Sequence, residues 1–375
     1  MRYYMIAGEA SGDLHGSNLV KGLRQCDPDA EIRCWGGPLM AQAGAELVHD
    51  YKDGAVMGVS DVLRKAGSLL GNIRECKQDI LSWHPDVVIL IDYPGFNLKI
   101  AEFAHKAGLK VFWYIAPKTW ASRSGRNAKI KEYVDRLFIV FPFEIPYFEA
   151  QGIPFIYKGN PLIDAVAGHE YRRPVEGRYI AMLAGSRKGE ISRMMPVCME
   201  AADRLRRTEG FKDCRFVIAG APSRSMEDYA PYIGEARKDY VDVLFGRTYD
   251  ILRYADAAVI NSGTASLEAA LIGTPQVVGW STSAITIFVA KHILKIGSHI
   301  KYISLANLIS DKPIFRELIQ NDFNADTLCA EIDRLVNDSG YRSRMEADYE
   351  EMRLALGGQG ASVAVAKAMI EALKA

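Results

Sequence analysis

The sequence predicts an α/β protein made of two Rossmann-like, doubly wound domains that face a central cleft. Short apolar segments alternate with amphipathic helical segments along most of the chain, which is typical of open parallel sheets. A polar segment at 168–177 interrupts this alternation, which then starts again. A length of 375 residues also fits two domains at about 150 residues each. We therefore predict an N-terminal domain over 1–167 and a C-terminal domain over 178–357.

The predicted first domain begins with a strand at Arg2–Ala7, followed by a polar turn at 8–16 and a helix. Val87–Ile91 is a continuous apolar run, the pattern of a parallel strand that is buried on both faces. Asn97 is predicted to cap the next helix and Gly108 to end it. Two further strands are predicted at 111–115 and 137–141.

The predicted second domain repeats the pattern without repeating the sequence. Its first strand is Tyr179–Leu183, followed by a turn at Gly185 and Ser186 and by a helix from about Glu190. The last part of the chain, from Tyr341, is predicted to be helical with a break at 357–358. We expect the final helix, about 358–375, to pack back on the first domain. Further strands of this domain are predicted at 215–219, 257–260 and 276–279.

The charge balance excludes one class of function and leaves others open. The chain has 46 Lys and Arg against 46 Asp and Glu, so its formal net charge is zero, whereas proteins that bind nucleic acid usually carry a basic excess. Within that balance, residues 103–131 contain seven Lys and Arg and neither Asp nor Glu, and residues 269–310 are also free of acids. The sequence therefore argues against a nucleic-acid partner but not against anions or a membrane surface.

Targeting and membrane-spanning signals are absent from the sequence pattern. No apolar run approaches the roughly 18 residues that a membrane-spanning helix needs, and no basic segment precedes a signal-type apolar stretch at the N-terminus. The six cysteines show neither a CxxC pair nor another metal-like spacing. We predict a cytoplasmic protein with reduced thiols.

Four polar side chains crowd the turn after the first strand: Glu9, Ser11, Asp13 and His15. The turn matches neither the dinucleotide-binding GxGxxG pattern nor the Walker A pattern, so neither ligand is predicted from it. One interpretation is a tight strand-to-helix turn that uses glycine for its backbone freedom. The other is a functional loop at the cleft, because a purely structural turn does not need four polar side chains.

Asp92 directly follows the apolar strand Val87–Ile91. It should therefore lie at the carboxyl end of that strand, where open α/β sheets bind ligands. Burial at this position would raise its pKa and make it a usable base near neutral pH. The alternative is that its carboxylate accepts hydrogen bonds from the backbone N–H groups of the next turn.

Two turns of the second domain have the composition of phosphate-binding sites. Ser262, Gly263 and Thr264 open a helix after a predicted strand, and the free N–H groups and hydroxyls there suit a diphosphate. Glu268, one turn further along, is placed to accept hydrogen bonds from a ribose. The alternative is plain N-capping by Ser262 or Thr264.

The other such turn holds Ser186 and Arg187, directly after the predicted strand Tyr179–Leu183. Arg187 would neutralise the charge that develops on a leaving diphosphate. Acidic residues near these motifs are dispersed and no DxD occurs among them. We therefore predict catalysis without a metal ion or another cofactor, with Arg187 and the helix N-termini neutralising the diphosphate.

Two apolar segments stand out along the chain. Residues 55–70 carry few charges, and residues 280–294 carry apolar side chains beside a lysine and a histidine. The second segment has the composition of a basic amphipathic helix on a membrane surface. A buried helix face is the alternative for each segment. The side chains singled out are Val56, Met57, Leu69, Leu70, Phe288 and Lys291.

The two-domain outline alone leaves the function open, because nucleotide-sugar glycosyltransferases, some epimerases and periplasmic-type binding proteins share it. Short motifs narrow the choice. They cover nearly the whole chain, and in kind and order they resemble the lipid-A-disaccharide synthase family: GEASGD at 8–13, AVMG at 55–58, IDYPGFN at 91–97, WYIAPKTWA at 113–121, FPFE at 141–144, GNPL at 159–162, LAGSRKGEI at 183–191, NSGTASLEAAL at 261–271 and YISLANLI at 302–309.

The resemblance implies a glycosyltransferase-B fold and a reaction of lipopolysaccharide biosynthesis. The enzyme would transfer 2,3-diacylglucosamine from UDP to the 6-hydroxyl of 2,3-diacylglucosamine 1-phosphate. The anomeric centre would be inverted in one displacement, giving a β(1→6) lipid A disaccharide 1-phosphate and UDP. The resemblance further implies peripheral association with the inner face of the cytoplasmic membrane. Because both substrates would carry acyl chains, the resemblance makes the 55–70 segment a candidate acyl-binding flap. It also allows a homodimer, because some members exchange C-terminal segments.

The resemblance also implies roles for individual residues. Asp92 matches the proposed catalytic base, which takes the proton of the acceptor hydroxyl. Arg187, Ser262 and Thr264 match positions expected at the UDP diphosphate, and Glu268 matches the position expected at the ribose. The other polar positions implicated in activity are matched by Glu9, Ser11 and Asn307, with Gln320 as a looser match.

One departure from the family pattern concerns the base. Many members have a second acidic residue three positions after the catalytic aspartate, where this chain has Gly95. Asp92 would then act without a carboxylate partner, and His15 is a substitute base or else a structural histidine on its helix. The alternative enzyme is another UDP-sugar enzyme of the same fold, such as a UDP-GlcNAc 2-epimerase. The non-enzyme alternative is a nucleotide-sugar-binding module.

Overall fold

A computed structural model describes residues 1–52, 62–120, 124–282 and 301–374, with the backbone alone over 62–68. The chain divides into two compact units. The first contains Met1–Ala167 and the C-terminal segment from Leu356, and the second contains Gly168–Ala355. Each unit is an α/β structure around its own parallel sheet, as the sequence predicts.

The sheet of the first unit has seven strands, and its hydrogen-bonded order is β3-β2-β1-β4-β5-β6-β7. Neighbouring strands run parallel, with Ala7 of the first strand opposite Ile91 of the fourth. The order of the strands reverses between β1 and β4, so the ligand-binding switch point of an open sheet lies at their carboxyl ends. The strands are β1 Arg2–Ala7, β2 Glu31–Gly36, β3 Glu46–Asp50, β4 Val87–Ile91, β5 Lys110–Tyr114, β6 Arg136–Ile139 and β7 Phe155–Tyr157.

The core of the first unit forms where its central strands bury side chains on both faces. Every residue of β4 is buried, which explains why its sequence is apolar throughout rather than alternating. Tyr4 and Trp113 belong to this core cluster. The helices of the unit are α1 Ala10–Cys26, α2 Pro38–Gln42, α3 Val62–Trp83, α4 Pro94–Lys106, α5 Arg126–Tyr133, α6 Glu144–Ala150, α7 Pro161–Ala167 and the final helix α15 Ala361–Lys374.

The final helix α15 packs on the first helix of the chain. Gly22 of α1 lies so close to it that a Cβ there would come within 2.8 Å of the Ser362 carbonyl oxygen. Asp164 of α7 holds the start of α15, because its carboxylate accepts from the backbone N–H groups of Gly360 at 2.6 Å and Ser362 at 2.9 Å. The C-terminal residues are therefore part of the first unit.

The sheet of the second unit has six strands in the order β10-β9-β8-β11-β12-β13. The strands are again parallel, with Leu183 opposite Ile260, and the switch point lies at the carboxyl ends of β8 and β11. The strands are β8 Tyr179–Leu183, β9 Arg215–Gly220, β10 Val241–Phe245, β11 Ala257–Asn261, β12 Gln276–Trp280 and β13 Glu317–Ile319.

Helices cover the second sheet, and short 3-10 turns occur at Met226–Asp228, Glu235–Arg237 and Gln320–Asp322. Among the described residues, every helix falls short of the length and apolarity needed to cross a membrane. The helices are α8 Lys188–Leu205, α9 Ala230–Ile233, α10 Thr248–Tyr254, α11 Thr264–Ile272, α12 Leu305–Ser310, α13 Ala325–Asn337 and α14 Ser339–Leu356.

The prediction that Asn97 caps a helix is wrong. The helix α4 begins at Pro94, and Asn97 is fully buried inside its first turn. Proline is favoured at the first position of a helix because the missing N–H would be unpaired there in any case. Gly108 does end this helix, with a φ of 77° just after the C-cap. The predicted strand 111–115 ends one residue early, because Ile115 has a φ of 62°.

Candidate active site

Asp92 is the first residue after β4, at the switch point of the first sheet. It is half-buried, and its backbone N–H donates to the Tyr114 carbonyl oxygen on β5 at 3.2 Å. Asp92 and Tyr93 both have left-handed backbones, with φ of 42° and 47°, and Ile115 on the adjacent strand end has a φ of 62°. Such a conformation costs about 1–3 kcal/mol per non-glycine residue, and residues of this kind cluster at functional sites.

The side chain of Asn97 stabilises this strained turn through hydrogen bonds to its backbone. Its Nδ2 group donates to the main-chain oxygens of Ile91 at 3.3 Å and Asp92 at 2.8 Å. The backbone N–H of Asn97 donates in turn to the Tyr93 carbonyl oxygen at 3.0 Å. These bonds fix the backbone that carries the Asp92 carboxylate.

Burial and the charges near Asp92 give its carboxylate a pKa that suits a general base. Burial raises the pKa of its carboxyl to about 6, and the negative charge of Glu9 adds to the increase. The positive charges of Lys118 and Arg126 act in the opposite direction. A carboxylate with this pKa is largely ionised at pH 7.5, yet binds a proton far more readily than an ordinary aspartate.

The turn after β1 packs against the turn that carries Asp92. A Cβ on Gly8 would lie within 2.3 Å of the Tyr93 ring, so glycine is required for this close approach. Ser11 donates from its Oγ to Glu9 Oε1 at 2.8 Å. The structure therefore brings the predicted residues Glu9 and Ser11 to the same edge of the sheet as Asp92.

Asp13 and His15 of the same motif are both buried. Asp13 is buried and accepts from the backbone N–H groups of Leu39 at 3.1 Å and Met40 at 3.0 Å, so it holds the start of α2. His15 is 7% exposed, and burial lowers the pKa of its imidazole to about 4. Its Nδ1 atom has no hydrogen-bond partner in the described part of the chain. A buried imidazole of this pKa is a weaker base than Asp92, so the two pKa values favour Asp92 in that role.

The FPFE and GNPL motifs shape the carboxyl end of β6. Glu144 is buried, and its Oε2 accepts from the N–H groups of Val140 at 3.2 Å and Phe141 at 3.1 Å. Asn160 donates to the Val140 carbonyl oxygen at 2.9 Å and accepts from the Leu162 N–H at 2.9 Å. These two polar side chains have a structural explanation.

In the second unit, Glu190 organises the turn after β8. Its Oε2 accepts from the backbone N–H groups of Ser186 at 3.0 Å and Arg187 at 3.1 Å, and its Oε1 lies 2.7 Å from Nη1 of Arg187. Gly185 has a φ of 95°, and a Cβ there would collide with Glu190 and with the Asn261 amide. The sequence predicts a helix from about Glu190, whereas the helix begins at Lys188. The capping role of Glu190 was not predicted, although a glutamate three residues after the N-cap is the sequence signal for such a reciprocal bond.

Arg187 is thus paired with Glu190, whereas the sequence predicts that it contacts a diphosphate. Three-quarters of its side chain is exposed. An exposed ion pair contributes about 0–1 kcal/mol, so an arriving diphosphate could replace the carboxylate as its partner. The assignment of Arg187 to the diphosphate stays a prediction.

The turn after β11 leads straight into α11. Gly263 is the N-cap of this helix, and among the described residues no side chain caps it. Ser262 instead donates from its Oγ to the Ile303 carbonyl oxygen at 3.0 Å. Capping by Ser262 or Thr264 is therefore not what this turn does, and a helix N-terminus without a side-chain cap suits an anion.

Glu268, on the first turns of α11, accepts from the Tyr249 hydroxyl at 2.8 Å, and burial raises its pKa. Tyr249 was not predicted, since it comes from the separate helix α10. A carboxylate accepts more than one hydrogen bond, and the assignment of Glu268 to a ribose stays a prediction.

Asn307 has a structural explanation of its own. It is fully buried, donates to the Phe315 carbonyl oxygen at 3.1 Å and to Glu317 Oε1 at 3.0 Å, and accepts from the Ile314 N–H at 2.9 Å. Its amide thus holds the 314–317 segment, and the role in activity that the resemblance implies stays a prediction. Gln320 has a φ of 59° and accepts from the Thr282 N–H at 3.3 Å.

Only two of the predicted lipid-contacting side chains, Leu69 and Leu70, lie in the part of the chain that the structure describes. Val56, Met57, Phe288 and Lys291 lie outside the described residues. Leu69 packs against the core of the first unit, which agrees with the alternative of a buried helix face, whereas Leu70 is 60% exposed. Over the described ranges, no group of three or more His, Cys, Asp or Glu is arranged to hold a metal ion.

Two parallel sheets with these strand orders, each with polar turns at its switch point, define a two-domain α/β protein of the glycosyltransferase-B class. A family model described as lipid-A-disaccharide synthetase matches residues 3–371. The chain belongs to the lipid-A-disaccharide synthase family, whose members are glycosyltransferases. It is 37% identical to the lipid-A-disaccharide synthase of Geobacter sulfurreducens, over 99% of this chain and 97% of the relative. The Geobacter metallireducens enzyme matches at the same identity and coverage.

Solved structures share the fold at low sequence identity. The S. aureus MnaA–UDP co-structure has a TM-score of 0.73 at 14% identity, covering 100% of this chain and 97% of that one. A UDP-GlcNAc 2-epimerase from Neisseria meningitidis bound to UDP-GlcNAc scores 0.67 at 12% identity, with coverage of 99% and 100%. The glycotransferase of kitacinnamycin scores 0.62 at 16% identity, with coverage of 99% and 98%. These similarities establish the fold but do not identify the reaction, because one fold can host several reactions.

Proposed function

We propose that this chain transfers 2,3-diacylglucosamine from UDP to the 6-hydroxyl of 2,3-diacylglucosamine 1-phosphate, giving a β(1→6) disaccharide 1-phosphate and UDP. Membership of the family supports the reaction class. The single observation that carries the mechanism is Asp92, a half-buried carboxylate at a switch point whose pKa is raised to about 6. Its strained backbone is held in place by Asn97.

The proposed step is one displacement with inversion. Asp92 accepts the proton of the acceptor 6-hydroxyl as its oxygen attacks the anomeric carbon of the donor. The bond between that carbon and the diphosphate oxygen breaks, and UDP leaves with the bonding electrons. The pKa of Asp92 is near enough to neutrality for the carboxylate to be ionised before the step and to hold the proton after it.

The UDP would bind to residues of the second unit. The N-terminus of α11, with Ser262, Gly263 and Thr264, supplies N–H groups to the diphosphate. Arg187 leaves Glu190 to neutralise the developing charge, and Ser186 lies in the same turn. Glu268 accepts from the ribose while Tyr249 orients its carboxylate.

Both substrates carry acyl chains, so we place the protein in the cytoplasm, peripherally on the inner face of the cytoplasmic membrane, with a homodimer as one of its states. The acid-free stretch 269–310 supports the membrane association, since anionic lipids attract basic segments. The test is binding to anionic vesicles, which should weaken with salt and with Lys291→Glu but not with the matched Lys238→Glu. Binding that ignores both salt and Lys291→Glu would contradict the docking proposal.

The reaction is tested with purified protein, UDP-2,3-diacylglucosamine and 2,3-diacylglucosamine 1-phosphate. We expect disaccharide 1-phosphate and UDP in equal amounts. A parallel reaction with UDP-GlcNAc alone separates the alternative. If UDP-GlcNAc is epimerised and no disaccharide forms, the transferase proposal fails.

A further inference from the structure

The polar segment at 168–177, which separates the two predicted domains, is bound to the helix α10 of the second unit. Asp250 of α10 makes most of the connections. Its Oδ1 lies 3.0 Å from Nε2 of His169 and accepts from the Arg172 backbone N–H at 2.9 Å, while its Oδ2 accepts from Nε of Arg247 at 2.8 Å. Arg247 also donates from Nη2 to the Arg172 carbonyl oxygen at 2.9 Å. This part of the segment is therefore fixed against the helix.

The Asp250 side chain is a buried, ionised carboxylate. Burial acts to raise its pKa, but the hydrogen bonds from the Arg172 backbone N–H, His169 and Arg247 hold the pKa of this carboxyl below its usual value. A carboxylate only accepts hydrogen bonds, so Nε2 of His169 carries the hydrogen between the two side chains. The imidazole is thereby anchored through one of its nitrogen atoms.

The imidazole of His169 in turn contacts two tyrosine rings edge to face. Its centroid lies 5.3 Å from that of Tyr249 with the planes at 72°, and 4.8 Å from that of Tyr171 with the planes at 73°. Contacts of aromatic rings in this geometry are attractive and depend on the angle between the rings. His169 therefore restricts where the half-buried Tyr249 ring can lie.

Tyr249 connects this imidazole to the carboxylate that is assigned to the ribose. The Tyr249 hydroxyl donates to Glu268 Oε1 at 2.8 Å and so joins α10 to α11. Among the described residues, Tyr249 is the only hydrogen-bond donor to that carboxylate, which leaves its Oε2 atom for a ligand. A continuous series of contacts thus joins His169 to Glu268.

We propose that His169 and Asp250 are positioning residues for the ribose of UDP. Neither residue touches the nucleotide itself. They fix the ring of Tyr249, whose hydroxyl then orients the Glu268 carboxylate toward the ribose hydroxyls. This inference rests on the proposed function, from which it takes the assignment of Glu268. The segment 168–177 then contributes to donor binding besides joining the two units.

The first test compares the binding of UDP with that of 2′,3′-dideoxy-UDP, which keeps the base and the diphosphate but lacks both ribose hydroxyls. Titration calorimetry measures both affinities. We expect His169→Ala to bind UDP about fivefold more weakly, because a hydrogen bond to a charged group is misaligned, and to bind the dideoxy ligand as the unaltered protein does. The matched control is His105→Ala, since His105 is exposed and its ring lies 5.7 Å from that of Tyr133 in the first unit.

The dideoxy ligand separates positioning from a general effect on the fold. A loss of equal size for UDP and for 2′,3′-dideoxy-UDP in His169→Ala would overturn the proposal, and so would unchanged affinity for UDP. Asp250→Asn should show the same selective loss, and its binding of the dideoxy ligand reports whether the variant is folded. If Asp250→Asn does not fold, His169→Ala decides the question, because His169 lies at the surface with 34% of its side chain exposed.

The second test uses turnover of UDP-2,3-diacylglucosamine. A contact to the ribose is the same in the ground state and the transition state, so its weakening affects binding of the donor and not the chemical step. We expect His169→Ala to raise the KM of the donor about fivefold, with kcat and the KM of the acceptor unchanged. A lower kcat with an unchanged KM of the donor would contradict the role.

Glu268→Ala distinguishes a failure of this inference from a failure of the proposed function. If Glu268→Ala loses the preference for UDP over 2′,3′-dideoxy-UDP while His169→Ala keeps it, the positioning role fails and the assignment of Glu268 stands. If Glu268→Ala keeps the preference, both fail. These binding measurements are decisive whether or not the unaltered protein forms the disaccharide, which is the separate test of the reaction.

Discussion

The side-chain Nδ2 group of Asn97 donates a hydrogen bond to the main-chain oxygen of Asp92 at 2.8 Å. A second bond from the same group reaches Ile91 at 3.3 Å. The residue therefore spans the end of β4 and the start of α4, where Asp92 and Tyr93 have left-handed backbones. The position of the proposed base depends on this amide.

Replacing the Asn97 amide should lower both the free energy of unfolding and the rate of disaccharide formation. Asn97→Ala leaves one buried and one partly buried carbonyl oxygen without this donor, so we expect the free energy of unfolding to fall by about 1–3 kcal/mol. Turnover should fall as well, because the strained turn can relax and move the carboxylate. Urea unfolding and the disaccharide assay measure the two effects. Asn337→Ala, at an exposed position, is the control, and an Asn97→Ala protein as stable and active as this control would disprove the role.

The pH dependence of activity should report the Asp92 carboxyl. A base must be ionised to act, and burial raises its pKa to about 6. We therefore expect kcat/KM to be constant above neutrality and to decline as the pH falls through about 6, by tenfold for each further pH unit. A profile measured at saturating UDP-sugar tests this. A decline centred near 4, the range of an ordinary aspartate or of His15, would contradict the assignment.

The raised pKa also predicts that the proposed base weakens the fold at high pH. The folded state disfavours the ionised carboxyl, whose usual pKa is 3.8. Asp92→Asn should therefore be more stable than the unaltered protein above pH 6, by on the order of 1–3 kcal/mol. The gain should shrink below pH 6 and vanish below pH 4, where both states of the unaltered protein are protonated. Thermal unfolding at pH 8 and pH 4 measures it, and a loss of stability at pH 8 would contradict the burial argument.

Arg187 should matter for UDP and little for the fold. Its pair with Glu190 is exposed, so Arg187→Ala should change the free energy of unfolding by less than about 1 kcal/mol. Loss of one charge-assisted contact to the diphosphate should weaken UDP binding by about 1.5–3 kcal/mol, roughly tenfold or more. Titration calorimetry with UDP tests this, with the exposed Arg193→Ala as the matched control. Unchanged affinity in Arg187→Ala would remove it from the diphosphate site.

The fold could be predicted from sequence wherever a strand is buried on both faces. Arg2–Ala7, Val87–Ile91 and Tyr179–Leu183 are strands at the predicted residues, because continuous apolar runs need no tertiary information to be recognised. Five strands were not predicted: β2, β3, β7, β10 and β13. Each contains half-buried residues and is short or mixed in pattern, so no long apolar run marks it. Asp92 was placed correctly at a strand end because its neighbours are unambiguous.

The contacts of the site that could not be predicted either join residues distant in sequence or depend on a left-handed backbone conformation. Asn97 was interpreted as a cap, because its bonds to Ile91 and Asp92 exist only once the turn has left-handed φ values. Tyr249 meets Glu268 across two helices, and no local pattern pairs them. Trp35 likewise stacks on Phe96, which is far from it in sequence.

The most direct test of Asp92 as the base is the rate of disaccharide formation by Asp92→Asn, with UDP affinity measured on the same sample. Asparagine keeps the shape of the side chain and cannot take the acceptor proton. We predict a rate lower by roughly 10²–10⁴, with UDP affinity unchanged. Disaccharide formation by Asp92→Asn at the rate of the unaltered protein would show that Asp92 is not the base.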